Sequence, residues 1–122
     1  MPSSLLLGLR VLVVEDDPII ALDVAQTLAD AGATILGPAY RVAQALDLIE
    51  RSAIDVAVLD FRLETAAASP VAHRLSARGI PYLFHTSSRG GPAQAHPGVP
   101  IIDKPTHPER LVAAIKALTK SQ

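Results

Sequence analysis

The sequence contains no cysteine, and this absence excludes several kinds of chemistry. Without cysteine the chain has no disulfide framework, no thiolate metal site and no cysteine nucleophile. A reducing cytoplasm fits this composition. An excess of charge of one sign is also lacking, because the formal net charge is only -1. We therefore expect no nucleic-acid partner and no attraction to an anionic membrane surface.

Long hydrophobic runs, internal repeats and internal linkers are missing as well. The apolar segment Leu5–Leu7 is too short to span a membrane and lacks the basic flank of an export signal. A chain of 122 residues with 49% hydrophobic and 19% charged residues is long enough and apolar enough for one globular domain. We interpret residues 1–9 as a lead-in and residues 10–120 as that domain.

Strand and helix signals alternate along the chain. Short β-branched runs predict strands that are buried on both faces, and apolar residues at intervals of three and four predict helices. Asp17-Pro18 and Ser69-Pro70 mark two helix starts, and Thr106–Glu109 has the spacing of a capping box. The predicted strands are residues 11–14, 34–36, 56–59, 82–85 and 99–102, and the predicted helices are residues 18–31, 41–51, 69–78 and 107–118.

This order predicts an α/β fold with a doubly wound parallel sheet and right-handed crossovers. The segment Ser87–Gly98 has two prolines, three glycines and no apolar stripe. We therefore expect a mobile loop, or at most one helical turn, in place of the fourth helix of a five-helix fold. A sheet flank that is thinly covered in this way is a candidate docking surface.

Polar residues follow the predicted strands at the points where the strands end. Glu15 and Asp16 come after the first strand, Asp60 after the third, Thr86 after the fourth and Lys104 after the fifth. The carboxyl ends of parallel strands meet at one edge of the sheet, where ligands bind in such folds. Crowded carboxylates repel each other unless a divalent cation or a lysine neutralises them. The pattern indicates chemistry on a phosphoryl group.

Each of these residues also has an ordinary structural interpretation. A single aspartate after an apolar strand is most often a solvated strand end, and Asp17 is better explained as a helix cap because Pro18 follows it. The convergence of several strand ends on one pocket favours a site. The four histidines lack the spacing of zinc ligands. We expect His85 to be a partly buried neighbour of the site.

Four pieces of the sequence together resemble the receiver domain of two-component response regulators. They are Val13–Pro18, Val58–Leu63, Thr86 and Asp103–Pro105. The resemblance extends over about residues 10–118. It implies a flavodoxin-like (βα)5 fold with strand order 2-1-3-4-5, and a bacterial, cytoplasmic phosphoprotein of a phosphorelay.

The resemblance also implies a role for each site residue. Asp60 would be the phosphoacceptor that attacks a phosphohistidine of a sensor histidine kinase. Lys104 would offset the charge of the phosphoryl group, and Thr86 would donate its hydroxyl to it. Mg²⁺ would be the cofactor, because it prefers oxygen ligands and keeps several waters. The implied Mg²⁺ ligands are Glu15, Asp16, Asp60 and the backbone carbonyl of Arg62.

Three functions remain open. The first is a stand-alone receiver that signals by contact with an unknown output protein; it would be a phosphoacceptor with slow autodephosphorylation and not an enzyme in the usual sense. The second is a pseudo-receiver without phosphotransfer, since Glu64 and Ile101 replace a proline and an aromatic residue that are usual in receivers. The third, a phosphohydrolase of the haloacid-dehalogenase type, is weaker because the chain lacks Asp-x-Asp after its first strand.

A subgroup of single-domain receivers is more similar still. It carries Arg-Gly-Ile-Pro before strand four and Phe-x-Thr-Gly-Tyr within it, and its members are partners of HWE-type or related histidine kinases. This chain has Arg78–Pro81 and Phe84–Thr86, but Ser87-Ser88 stands where Gly-Tyr is expected. Arg62 and Ser88 occupy the positions that usually tune dephosphorylation. We expect Arg62 to compete with the attacking water or to stabilise the acyl phosphate.

Overall fold

The computed structural model describes residues 4–60, 69–86, 98–104 and 107–120, which contain five strands and four helices. No helix in these ranges is long and apolar enough to cross a membrane. The elements are β1 (Arg10–Val14), α1 (Pro18–Asp30), β2 (Thr34–Ala39), α2 (Val42–Arg51), β3 (Val56–Leu59), α3 (Ser69–Ala77), β4 (Tyr82–Thr86), β5 (Ile101–Asp103) and α4 (Pro108–Lys120).

The five strands form one parallel sheet in the order β2-β1-β3-β4-β5. The predicted fold class and strand order are therefore confirmed. The chain direction across the sheet reverses beside β1, because β2 lies on one side of it and β3 on the other. Loops that leave the sheet in opposite directions at such a point open a crevice at the carboxyl ends of the strands. The predicted site residues follow these carboxyl ends.

Within the described residues, each face of the sheet packs against two helices and buries its own core. Side chains alternate between the two faces along a strand, so each strand contributes to both cores. The α1/α4 face contains Val11, Val13, Val56, Val58, Leu83 and Ile102, packed against Val24, Leu28, Leu111, Val112 and Ile115. The α2/α3 face contains Leu12, Val14, Ala57, Leu59 and Phe84, packed against Ala45, Ile49, Val71, Ala72 and Leu75.

The second strand is longer than predicted. It continues to Ala39 rather than ending at Leu36, and its pairing with β1 resumes at Val14 after a register irregularity. Gly37 makes this possible because it adopts a φ of 97°. A Cβ atom at Gly37 would lie 2.6 Å from the nitrogen of Ala39, so no other residue fits without rearrangement.

The last strand begins later than predicted, at Ile101 instead of Val99. Pro100 lacks the N–H group that a strand residue donates to its neighbour, so regular pairing starts only after it. Its carbonyl oxygen still accepts a hydrogen bond of 2.9 Å from the Phe84 nitrogen. The start of β5 is thereby tied to the middle of β4.

The residues before β1 pack onto the domain. Leu6 is fully buried in the core of the α1/α4 face, and its N–H donates to the carbonyl oxygen of Ala31 at 2.9 Å. Gly32 adopts a φ of 102° where the chain passes Leu7, and a Cβ atom there would lie 3.1 Å from the Leu7 backbone. This part of the expected lead-in contributes to the core.

Three predicted features lie outside the described residues. They are the loop after Asp60, most of the segment Ser87–Gly98, and the Thr106 cap of the last helix. The expectations for them, including the shortened fourth helix and the thinly covered flank, remain predictions.

Candidate functional site

The ends of β1 and β3 bring Glu15 and Asp60 side by side. Val14 pairs with Leu59 in the sheet, so the residue after each is the next neighbour in register. The Asp60 N–H donates to the carbonyl oxygen of Val14 at 3.0 Å, and the Glu15 N–H donates to that of Ala39 at 2.9 Å. Hydrogen bonds at the strand ends thus hold both backbones. The side chains are 3% and 1% exposed, respectively.

Lys104 reaches this pair from the end of β5. Its Nζ donates a hydrogen bond of 2.7 Å to Glu15 Oε1 and lies 3.4 Å from Asp60 Oδ2. The lysine side chain is only 12% exposed. Water screens such a group less than a surface ion pair, so its attraction for both carboxylates is stronger. The structure therefore brings together predicted site residues from three different strands.

Asp16 completes an acidic cluster at the rim of the site. One carboxylate oxygen each of Glu15, Asp16 and Asp60 lies within 4.8 Å of the others, and Asp16 is exposed to solvent. Oxygen donors with this spacing suit a hard divalent cation such as Mg²⁺, which binds through few carboxylates and keeps some of its water. The donor set of the described residues fits the predicted metal.

Asp17 caps α1 instead of joining the acidic cluster. Its Oδ1 accepts hydrogen bonds from the nitrogens of Ile19 at 2.9 Å and Ile20 at 3.3 Å, which confirms the predicted helix cap. The Asp17 N–H donates to Glu15 Oε2 at 3.2 Å. The sequence did not indicate this last contact. The start of the helix thus orients the second oxygen of Glu15.

Glu15 is held in an environment that resists its charge. Burial, and then the hydrogen bond with Asp60, raise the pKa of Glu15 to about 7, although Lys104 acts in the opposite direction. Two buried carboxylates at this separation do not both ionise easily. A divalent cation would relieve the repulsion, so we expect its binding to release protons near neutral pH.

His85 lies at the same edge of the sheet, on β4. The residue is 7% exposed, which makes it a more deeply buried neighbour of the site than expected. Burial, and then the positive charge of Lys104, lower the pKa of His85 to about 4, although Asp60 and Asp23 act in the opposite direction. The imidazole is therefore neutral at physiological pH.

Thr86 is the last residue of β4 and its backbone pairs with Asp103 on β5. This position puts the Thr86 backbone at the same edge as the acidic cluster. The predicted roles of the Thr86 hydroxyl, the Arg62 carbonyl and the Ser88 side chain concern atoms outside the part of the chain that the structure describes. They remain predictions.

The sequence matches the model of the response regulator receiver domain over residues 11–116. The chain belongs to the response regulator receiver family. Solved structures agree: SdrG from Pseudomonas melonis Fr1, in its BeF3-activated conformation, is 32% identical with a TM-score of 0.76, covering 98% of this chain and 99% of SdrG. No curated protein matches the chain.

Two further response regulator structures have the same fold at lower identity. A response regulator receiver protein from Sinorhizobium medicae WSM419 is 24% identical with a TM-score of 0.82, covering 93% of this receiver and 95% of that chain. PhyR from Brucella abortus is 24% identical with a TM-score of 0.81, covering 96% of this receiver but only 50% of PhyR. This receiver thus spans about half the length of PhyR.

Proposed function

We propose that this receiver accepts a phosphoryl group on Asp60 from a phosphohistidine of a sensor histidine kinase. The observation that carries the proposal is the buried Asp60 carboxylate, which lies in a cluster of three carboxylates and 3.4 Å from the Lys104 ammonium. A nucleophilic carboxylate flanked by a cation is what phosphoryl transfer requires. Glu15 and Asp16 would hold Mg²⁺ together with Asp60.

The transfer needs no reactant other than the phosphohistidine. A carboxylate oxygen of Asp60 attacks phosphorus and forms the new P–O bond, while the P–N bond breaks and its electron pair stays on the imidazole nitrogen of the donor. The Lys104 ammonium is positioned to offset charge on the phosphoryl oxygens. Bound Mg²⁺ would supply further neutralisation of that charge. Because the Asp60 backbone is held at the strand end, the nucleophile is oriented before the donor arrives.

The Lys104 hydrogen bond to Glu15 suggests how the site changes on modification. A phosphoryl group adds about -1.5 to -2 charge at neutral pH and strong acceptor oxygens beside Asp60. We expect Lys104 to leave Glu15 Oε1 for these oxygens, since they carry more charge. Glu15 would then be released for the metal.

The finer parts of the function belong to the same proposal. The domain would act as a stand-alone, Mg²⁺-dependent switch in the bacterial cytoplasm, signalling by contact with an output protein. An HWE-type or related kinase is the proposed donor, because of the sequence around Phe84–Thr86. Transfer from a panel of autophosphorylated kinases that includes HWE-type enzymes tests this choice. Equal or faster transfer from unrelated kinases would contradict it.

The direct test of the proposal uses a small phosphodonor. Incubation with acetyl phosphate and Mg²⁺ should add the mass of one phosphoryl group to the wild-type protein and none to Asp60→Ala. Asp47→Ala is the matched control, since Asp47 is 57% exposed on α2, away from the strand ends. It should gain mass like the wild type. No gain in the wild type with any donor would refute the proposed function.

A pseudo-receiver is the second candidate, because Ile101 occupies the usual aromatic position. Ile101 is half-buried and packs against the α2/α3 core beside Phe84, so it offers no ring that could swing with the state of the site. A Mg²⁺ titration by calorimetry separates the two candidates. Mg²⁺ binding that is lost in Asp16→Asn supports the phosphoacceptor, whereas the absence of binding favours the pseudo-receiver.

A further inference from the structure

The buried polar and charged residues of the described chain form a single row across the sheet. They are Glu15, Asp60 and His85. Val14 pairs with Leu59, and Leu59 pairs with Phe84. Continuing this register by one residue places Asp60 between Glu15 on β1 and His85 on β4. Adjacent strands are about 4.8 Å apart, so both neighbours lie beside the phosphoacceptor.

The row lies on one face of the sheet. Val58 and Leu83, two residues before Asp60 and His85, both belong to the α1/α4 core. Side chains two residues apart in a strand point to the same side, so the Asp60 and His85 side chains share that face. Lys104 has the same relation to Ile102 of this core. Lys104 Nζ lies 3.4 Å from Asp60 Oδ2, in agreement with this arrangement.

No described residue is hydrogen-bonded to the His85 ring, and the residue is 7% exposed. The ring nitrogens are not among the buried side-chain atoms that lack a hydrogen-bond partner, so they reach solvent at this edge of the sheet. A ring N–H that is bonded to water can exchange this bond for a stronger one to a charged acceptor. The ring is therefore available to a phosphoryl group attached to Asp60.

We infer that His85 is a phosphoryl-binding residue, whose ring N–H donates a hydrogen bond to an oxygen of the phosphoryl group on Asp60. This inference rests on the proposed function. The phosphoryl group supplies three acceptor oxygens, and Lys104 reaches it from the neighbouring strand. The imidazole carries at least one N–H in either protonation state, so the donor does not depend on pH. A second strand thus contributes to holding the modified aspartate.

A general-base role would give the opposite kinetic result. If the ring accepted a proton from the water that hydrolyses phospho-Asp60, removing it would prolong the life of the phosphorylated protein. A donor that binds the phosphoryl group more strongly in phospho-Asp60 than in the transition state of hydrolysis slows that reaction, so removing it shortens that life. The sign of the change therefore separates the two roles.

The first experiment measures the lifetime of phospho-Asp60 after the donor is removed, by intact mass. His85→Val should shorten the lifetime about tenfold, the factor expected for one hydrogen bond to a charged group. His85→Gln retains an N–H donor and should restore most of it. His73→Val, on the exposed side of α3, is the matched control and should behave like the wild type. A lifetime that is unchanged or longer in His85→Val would overturn the inference.

The second experiment uses the unaltered protein, so it does not depend on the folding of a variant. Long-range ¹H–¹⁵N spectra of the histidine rings report hydrogen bonding at each ring nitrogen. Addition of beryllofluoride and Mg²⁺, which mimic the phosphorylated state, should shift the protonated nitrogen of His85 and protect its proton from exchange. The ring of His73 should not respond. A beryllofluoride complex that leaves the His85 ring signals unchanged would also overturn the inference.

Failure of this inference is distinguishable from failure of the proposed function. If the wild type gains no phosphoryl mass and binds no beryllofluoride, both are wrong. If Asp60 is modified but the lifetime and the ring signals do not depend on His85, only the role of His85 is wrong.

Discussion

The two faces of the sheet differ in chemistry near the same edge. On the α2/α3 face, Val14, Leu59 and Phe84 lie next to one another in register, and all are 0–1% exposed. One residue later, on the α1/α4 face, come Glu15, Asp60 and His85, which are also buried. The polar residues of the site thus continue the apolar rows of the α1/α4 face. The apolar residues on the α2/α3 face complete the core on the other side of the sheet.

This difference shows how the domain accommodates buried charge at this edge. The paired apolar residues Val14, Leu59 and Phe84 hold the register of β1, β3 and β4, and that register sets the spacing of the polar residues that follow them. The polar residues contribute little to packing, and burying their charges is unfavourable, as the raised pKa of Glu15 indicates. Stability and chemistry are therefore assigned to alternate residues of the same strands. Changes on one face should affect one property much more than the other.

The largest effect is expected from Phe84→Ala on the apolar face. Phe84 is fully buried and meets Tyr82 edge-to-face with ring centroids 5.8 Å apart. Its truncation should lower the free energy of unfolding by about 3–5 kcal/mol, because it removes buried area and leaves a cavity. Urea unfolding measures this value.

The matched change on the polar face is Asp60→Asn. It should alter the free energy of unfolding by about 1 kcal/mol or less, since it removes both the repulsion from Glu15 and the attraction of Lys104. The same change should abolish phosphorylation. Equal losses of stability in Asp60→Asn and Phe84→Ala would contradict the division between the two faces.

A smaller effect is expected from the metal. Mg²⁺ that binds only the folded state, at a concentration of 100 times its dissociation constant, should raise the free energy of unfolding by about 2.7 kcal/mol. Asp16→Asn should lose most of this increase with little change in the metal-free protein, because Asp16 is exposed. Asp23→Asn, exposed on α1, should retain it. Urea unfolding with and without Mg²⁺ measures the increase, and full retention in Asp16→Asn would exclude Asp16 as a ligand.

The smallest effect is expected in the pH dependence of the free energy of unfolding of the metal-free protein, because Glu15 and His85 act on it in opposite directions. The pKa of Glu15 rises on folding from 4.5 to about 7, so the folded state binds more protons there and stability falls as pH increases through this range. The pKa of His85 falls from 6.5 to about 4, so the unfolded state binds more protons and stability increases through that range.

Variants resolve these two opposed contributions, each about 3 kcal/mol. Glu15→Gln should leave only the increase in stability between about pH 4 and 6.5. His85→Gln should leave only the decrease between about pH 4.5 and 7. Urea unfolding across this pH range, without Mg²⁺, measures both. Parallel profiles in the two variants would show that neither residue titrates as its surroundings indicate.

Much of the fold could be predicted because its signals are local. The run Val56–Leu59 needs no partner to be identified as a strand, and Asp17-Pro18 specifies a helix start by the geometry of two residues. The ends of β2 and β5 could not be predicted as well. Whether Ala39 pairs with β1 depends on the backbone of Gly37, and the start of β5 depends on a bond to Phe84.

The site was predictable in part for the same reason. Strand-end residues Glu15, Asp60 and Lys104 are identified from sequence order, because parallel strands present their carboxyl ends to one edge. The hydrogen bond that Lys104 donates to Glu15, rather than to Asp60, depends on distances across several strands. The alternation of side chains along a strand predicts that Leu83 and His85 face the same side of the sheet. That His85 lies beside Asp60 could not be predicted, because it depends on the register between β3 and β4.

The chemical groups that follow the strands, and the parallel arrangement of the strands, can be predicted from the sequence, because apolar periodicity and helix caps act within a few residues. Which of those groups are neighbours depends on the tertiary structure. Strand register places His85 next to Asp60, and burial then removes water from the row and shifts the proton affinities of Glu15 and His85. Electrostatic interactions depend on distance and on exposure to solvent, and neither can be derived from the order of residues alone.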